Sequence, residues 1–316
     1  MCYPLFLSPV GKDYLWGGER LKTEYGKKIE LNPLAETWEC SAHPDGPSVV
    51  INGKLAGKTL IEIFNEYPEY LGTKCKIGDG FPILIKFIDA AKNLSVQVHP
   101  DDAYAKKYEN DKGKTEMWYI LDAKDGAELV YGFEHPMDIE TLKIAIEEGN
   151  LLKHLHKEKV YKGDVFYIPA GTVHAIGEGI LLAEIQESSN LTYRVYDYDR
   201  IGPDGKKREL HFKKAVNVMN MKPFRNIRKK RRLIRYYPGC SREVICRCQY
   251  FEAERIQCSK SFEFSVMNES YQVLLCLEGD GKIQDMSFKK GQCILLPAGL
   301  GRVKIFGDTE LIKVRC

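Results

Sequence analysis

The sequence has no CxxC pair, no apolar run of the roughly 18 residues that a membrane helix needs, and little net charge. Each absence removes a class of function. Without CxxC spacing, a thiolate zinc site is not expected. Of the ten cysteines only Cys246 and Cys248 stand close together, and most others fall in apolar, strand-like runs such as Leu274-Leu275-Cys276-Leu277. They read as reduced, buried residues used as small hydrophobes. The net charge of +3 is too small to argue for nucleic acid or an anionic membrane as a partner. Residues Met1 to Trp16 lack a basic stretch, and their apolar run is too short for a signal peptide, so a cytoplasmic protein is expected. What remains is a soluble globular composition, 44% hydrophobic and 29% charged, over 316 residues, a length that suggests two domains.

The stretch from Ser95 to Glu116 is the first that packing does not explain. Ser95, Gln97 and His99 lie two apart, so on a strand they share one face while Val96 and Val98 take the other. A half-exposed edge strand would also account for this alternation. The sharper reading is that Gln97 and His99 converge on a ligand. Glu116, seventeen residues after His99, heads a second strand-like run, Glu116 to Leu121. A further partner comes from Gly163, Pro169, Gly171 and His174, spaced G-x5-P-x-G-x-x-H. The glycine opens a strand, Pro169 and Gly171 bend it, and His174 follows facing inward. Two imidazoles, a carboxylate and an amide oxygen make a plausible zinc set with room for water or substrate. A structural zinc site would be filled by cysteines, so this one reads as catalytic.

The pattern recurs at an offset of 128 residues, as Gly291, Pro297 and Gly299, with Arg302 at the histidine position. Tyr271 or Gln272 stands where Glu116 stands in the first copy. The chain thus reads as two related β-barrels, only the first with metal ligands. The expected class is mainly β with a few helices. Thr59 and Glu62 fit a capping box, Asp101 to Tyr108 suits a short helix, and Asp138 can cap a helix with Ile139, Leu142 and Ile146 on one face. Lys86 interrupts the apolar run Phe81 to Ile88; it either snorkels to an edge or points to an anion. Arg194, in an aromatic run, suits a phosphate or carboxylate, unless it pairs with Asp197 or Asp199. His154 and His156 read as exposed. The basic run 222–235 reads as a linker, dividing a catalytic domain, 1–221, from a second domain, 236–316.

Along its whole length the chain resembles the type I mannose-6-phosphate isomerases, zinc-dependent members of the cupin superfamily, in their shorter bacterial form. The resemblance is carried by Trp16-Gly17-Gly18, Ala35-Glu36-Thr37-Trp38, Ala42-His43-Pro44, Lys86 before Phe87, Leu94-Ser95-Val96-Gln97-Val98-His99-Pro100, and the His174 turn. It implies two cupin-type jelly-roll domains, the first with a small helical insertion. It also implies one Zn2+ held by Gln97, His99, Glu116 and His174. Arg194, Lys114 and Glu184 take the catalytic positions, and Ser95, Lys86, Trp16 and Glu36 the substrate-binding ones. One departure stands out. Longer members carry His-Lys-Pro-Glu around the third ligand, where this chain has Gly113-Lys114-Thr115-Glu116, so no proton shuttle by that histidine can operate. The implied reaction interconverts mannose 6-phosphate and fructose 6-phosphate through an enediol, with Arg194 on the phosphate and Lys114 or Glu184 moving the proton. The expected partner is a small sugar phosphate, with no nucleic acid and no membrane, and the chain a monomer or homodimer. Cupin-like folds host many chemistries, so the alternatives are another cupin enzyme, such as a dioxygenase or a different sugar-phosphate isomerase, or a non-catalytic sugar-phosphate sensor.

Overall fold

A computed structural model describes residues 2–75, 80–202, 205–224 and 233–316. The basic run expected as a linker falls largely outside them, at 225–232. The chain is mainly β, with five α-helices among the described residues, and forms two cupin-type domains. The strands make three open sheets, of ten, six and five, rather than two barrels closed by hydrogen bonds.

In the first domain the six- and five-stranded sheets enclose Trp118, Ile120, Ile88, Leu182 and Leu129. The strand Ile83–Ala90 explains why its sequence reads as a continuous apolar run. Ile88 faces this interior, while Ile85 and Phe87 face a second cluster with Val273, Leu275, Ile312 and Val314 of the other domain. Both faces are buried, so both must be apolar. The five-stranded sheet turns Val96 and Val98 outward, where Leu142 and Ala145 of the helix Ile139–Glu147 cover them. That helix is capped by Asp138, as expected, but Ile139 is exposed; its buried stripe runs through Leu142 and Ala145. The Thr59–Glu62 capping box is complete, with Glu62 N donating to Thr59 Oγ1 and Thr59 N to Glu62 Oε2.

The repeat is real in backbone conformation. Gly163 and Gly291 have φ of 87° and 83°, and Gly171 and Gly299 of 83° and 76°. These are left-handed values that L side chains adopt only under strain. In each copy the residue before the proline, Ile168 or Leu296, pairs across the sheet with Glu116 or Gln272. Gln272, rather than Tyr271, is therefore the counterpart of Glu116.

Two long-range pairings cut across the order of the chain. The first strand, Leu5–Ser8, pairs with Cys293–Leu296 and with Val49–Val50, and so belongs to the ten-stranded sheet. Ile234 and Arg235, placed in the linker by composition, begin the exposed edge strand Ile234–Tyr237. No helix among the described residues is long and apolar enough to cross a membrane.

Candidate metal centre and substrate cleft

Period-two alternation on facing sheets brings the polar residues together. On the five-stranded sheet, His174, Gln97 and Arg194 are cross-strand neighbours in one row. On the six-stranded sheet the row is Trp38, Lys86, Glu184 and Trp118. Glu116 lies two residues before Trp118 and shares its face.

His99 donates from Nδ1 to Leu191 O at 2.8 Å, and His174 from Nδ1 to Thr172 O at 2.8 Å. Fixing those protons leaves each Nε2 as a lone-pair site. His174 Nε2 stands 3.4 Å from Glu116 Oε1, and His99 Nε2 3.7 Å from Oε2. The side-chain amide of Gln97 reaches within 3.4 Å of His174 Nε2. Ligand atoms of His99, Glu116 and His174 all lie within 4.8 Å of one another. Burial, then the charge of Lys114, pushes both imidazoles below their ordinary values, His174 to about 4. They are therefore neutral at pH 7, the form that binds a metal. Glu116 Oε1 is buried without a hydrogen-bond donor. Such an oxygen beside the His174 Nε2 lone pair is costly unless a cation joins them, so the residues fit a metal ion.

A cleft of about 270 Å³ is lined by Trp16, Glu36, Lys86, Ser95, Gln97, Lys114, Glu184 and Arg194, among others. His99, Glu116 and His174 lie just behind its wall, in contact with Gln97 and Lys114. Every catalytic and substrate-binding candidate from the sequence thus lines one cavity. Lys86 points to anions, but these are protein carboxylates: its Nζ lies 3.3 Å from Glu36 and 3.4 Å from Glu184. Trp38 Nε1 donates to Glu36 and Trp118 Nε1 to Glu184, each at 2.8 Å. Burial opposes ionisation of Glu184, yet Lys114 and Lys86 hold its carboxyl below the ordinary range. Lys114 Nζ donates to Glu116 Oε2 at 2.6 Å and to His99 Nε2 at 2.9 Å. Arg194 does not pair with Asp197 or Asp199; its Nη1 donates to Glu209 O, and its Nε is buried without a partner. His154 and His156 lie apart from the cleft, and His156 pairs with Glu134.

The sequence reading missed Trp118, whose place two residues after Glu116 was a usable signal, and Tyr14, Asn190, Thr192 and Arg208, which also line the cleft. The Gly113 departure has a steric cause. A Cβ there would lie 2.5 Å from Asp102 N and 2.7 Å from Asp101 C, so no side chain fits.

Fold and site together define an enzyme of the cupin type whose first domain carries a His99, Glu116 and His174 group that could hold a metal ion. Residues 5–131 match the model of the phosphomannose isomerase type I catalytic domain, and residues 242–316 that of the mannose-6-phosphate isomerase cupin domain. A probable mannose-6-phosphate isomerase of Bacillus subtilis is 41% identical over 99% of both chains. The mannose-6-phosphate isomerase of Streptococcus mutans is 38% identical over 99% of this chain and 98% of its own. The crystal structure of the Bacillus subtilis mannose 6-phosphate isomerase superposes with a TM-score of 0.91 at 37% identity, covering 98% of this chain and 99% of that one. The chain belongs to the type I mannose-6-phosphate isomerases, an enzyme family.

Proposed function

We propose that the chain interconverts mannose 6-phosphate and fructose 6-phosphate, with Gln97, His99, Glu116 and His174 holding one Zn2+. The observation that carries this reading is the buried His99, Glu116 and His174 group set against Gln97 and Lys114, which line a cleft with Arg194 in its wall. The reaction removes the proton from C2 of the open-chain aldose while the C1 carbonyl oxygen gains one, giving an enediol. C1 then takes a proton and the C2 hydroxyl loses one, leaving the ketose. Zinc at this site would supply positive charge to the sugar oxygens, on which negative charge develops.

The chain's own residues do the rest. Arg194, with an unused buried Nε, binds the phosphate. Ser95, Trp16, Glu36 and Lys86 line the path of the sugar. Lys114 or Glu184 moves the proton. Glu184, kept ionised by Lys114 and Lys86, has a carboxylate able to accept it, and Lys114 has an ammonium able to give it. The indole N–H of Trp118 and the Lys86 ammonium fix the Glu184 carboxylate in place.

A coupled assay from mannose 6-phosphate to fructose 6-phosphate, run before and after chelation and then with zinc restored, tests this. Activity should vanish on chelation and return with zinc. Activity that survives proven removal of the metal would end the metal role and leave the substrate assignment. No activity in the metal-replete protein would end the substrate assignment.

A further inference from the structure

After Arg194 the strand Tyr193–Tyr196 runs into a turn in which Tyr198 and Asp199 both take left-handed backbone, with φ of 56° and 54°. The chain leaves this turn and folds back on itself, closed by the Ile201–Lys207 bridge and by a Lys207–Asp199 ion pair of 2.6 Å. The fold-back returns Arg208 to the same cleft that Arg194 lines.

Asp197, only 5% exposed, is the buried carboxylate behind them among the described residues. It accepts Arg208 Nε on Oδ2 at 2.7 Å and Arg208 Nη2 on Oδ1 at 2.5 Å. This two-point fork sets the plane of the Arg208 guanidinium and leaves Nη1 for a further acceptor. Arg200 shares Asp197 Oδ1, and its Nη1 donates to Asn93 O at 2.7 Å. Lys207 takes Asp199, and the exposed Glu209 bonds Arg194 through its backbone oxygen, its carboxylate acting on Arg194 more weakly than burial and Arg208 do. Among the described residues, two guanidiniums, Arg200 and Arg208, thus share the one Asp197 carboxylate, and Arg194 stands near them with no carboxylate paired to it. Burial, then the charge of Arg208, pushes Arg194 below its ordinary value. Partly buried positive charge that the protein itself leaves uncompensated is built for an anion.

We propose that Arg208 is a specificity-determining residue, a second guanidinium that binds the substrate's phosphate beside Arg194 and is aimed by the Asp197 fork. The proposal rests on the sugar-phosphate isomerase reading and deepens it. One arginine would hold any anion, whereas two set in fixed planes select the oxygens of a phosphate monoester. Asp197 is a positioning residue, acting through Arg208 and Arg200.

The test is Arg208→Gln, read by KM and kcat for mannose 6-phosphate, by the inhibition constant of inorganic phosphate, and by metal content. The KM should rise about 10- to 100-fold, the loss of one charged, paired hydrogen-bonding group, and inorganic phosphate should inhibit more weakly by a similar factor. The kcat should stay within about threefold and the metal content unchanged, a split that a general loss of structure would not give. Asp197→Asn should move KM and the phosphate constant in the same direction by less. If Arg208→Gln does not fold, Arg208→Lys keeps a charge for Asp197 but not the fork, and should still weaken inhibition by inorganic phosphate. Turnover by the wild type with both constants unchanged in the variant would overturn the Arg208 assignment and leave the isomerase reading standing. The reverse result separates the two readings. A wild type inert to mannose 6-phosphate, but stabilised against heat by inorganic phosphate in a manner lost with Arg208, would keep the anion site and end the substrate assignment.

Discussion

The two strand–turn–strand units share a backbone and almost nothing of their chemistry. Both have the paired left-handed glycines and the proline, and both place the residue before the proline opposite Glu116 or its counterpart Gln272. In the first domain the space inside holds Glu116, His99, His174, Lys114 and Glu184, all buried. In the second it is filled by Leu274, Cys276, Ile294, Leu296, Val303 and Ile305. Even the facing differs. His174 points inward, whereas Arg302 is solvent-exposed and paired with Glu263 at 2.9 Å, while its neighbour Val303 is buried. The second unit has thus not merely exchanged histidine for arginine; the strand after the turn presents its other face. The glycines and proline are requirements of the turn, and the candidate ligands are a separate layer that the turn carries or does without.

The strongest way to break this comparison is to remove the chemistry from each unit in turn. His99→Ala and His174→Ala should each lose bound metal and lower kcat/KM by about 1000-fold or more, since several kcal/mol of charge stabilisation go with the ion. Arg302→Ala, at the matching sequence position, should change neither metal content nor activity measurably. Metal analysis beside the coupled assay checks all three, and a fully active, metal-replete His174→Ala protein would dissolve the site.

A smaller effect separates the ligands from the groups around them. Glu184→Gln should keep the metal and lower kcat by about 100- to 10,000-fold if Glu184 moves the proton. Lys114→Met makes the same demand of the lysine. The variant that loses kcat with its metal retained identifies the proton carrier, and equal, modest losses in both would mean that neither is.

How much of this could be read in advance depended on distance along the chain. Ser95, Gln97 and His99 showed their common face because a strand's period is two, and the valines between them showed the opposite face. The paired glycines revealed the repeat because their conformation excludes other residues. The facing of Arg302 was hidden, since a one-residue change in which side of a strand faces inward leaves motif spacing untouched. The membership of Leu5–Ser8 in the second domain's sheet was hidden too. Its partner, Leu295, lies most of the chain away, and no local pattern records that pairing. Arg208 was missed because only a tertiary fold-back brings it to the cleft.

The apolar interior of the second domain makes a prediction of the opposite kind. Leu274→Ala removes a buried side chain from that core and should cost about 2–5 kcal/mol in urea unfolding. At temperatures where the variant remains folded, kcat and metal content should match the wild type. Loss of metal in the folded variant would mean that the second domain shapes the ligand group, rather than supporting it from behind.

The least disruptive test lies on the seam between the domains. Tyr119, on the strand that begins with Glu116, donates its hydroxyl to Glu310 Oε1 at 2.8 Å, and Arg255 Nε donates to the same oxygen at 2.7 Å. Burial raises the Glu310 carboxyl, but Arg255 and Tyr119 outweigh it and hold the group below its ordinary value of 4.5. A carboxyl depressed in the folded state adds stability above its unfolded pKa and loses it as pH falls through the folded one. Glu310→Gln should therefore cost about 1 kcal/mol at pH 7, allowing for solvent screening of a partly open site. The difference from wild type should shrink as pH drops below about 4.5 and disappear once Glu310 is protonated in both states. Urea midpoints for the two proteins across that range decide it. A difference that stays constant with pH would place the cost in packing rather than charge, and the seam would then join the domains by shape alone.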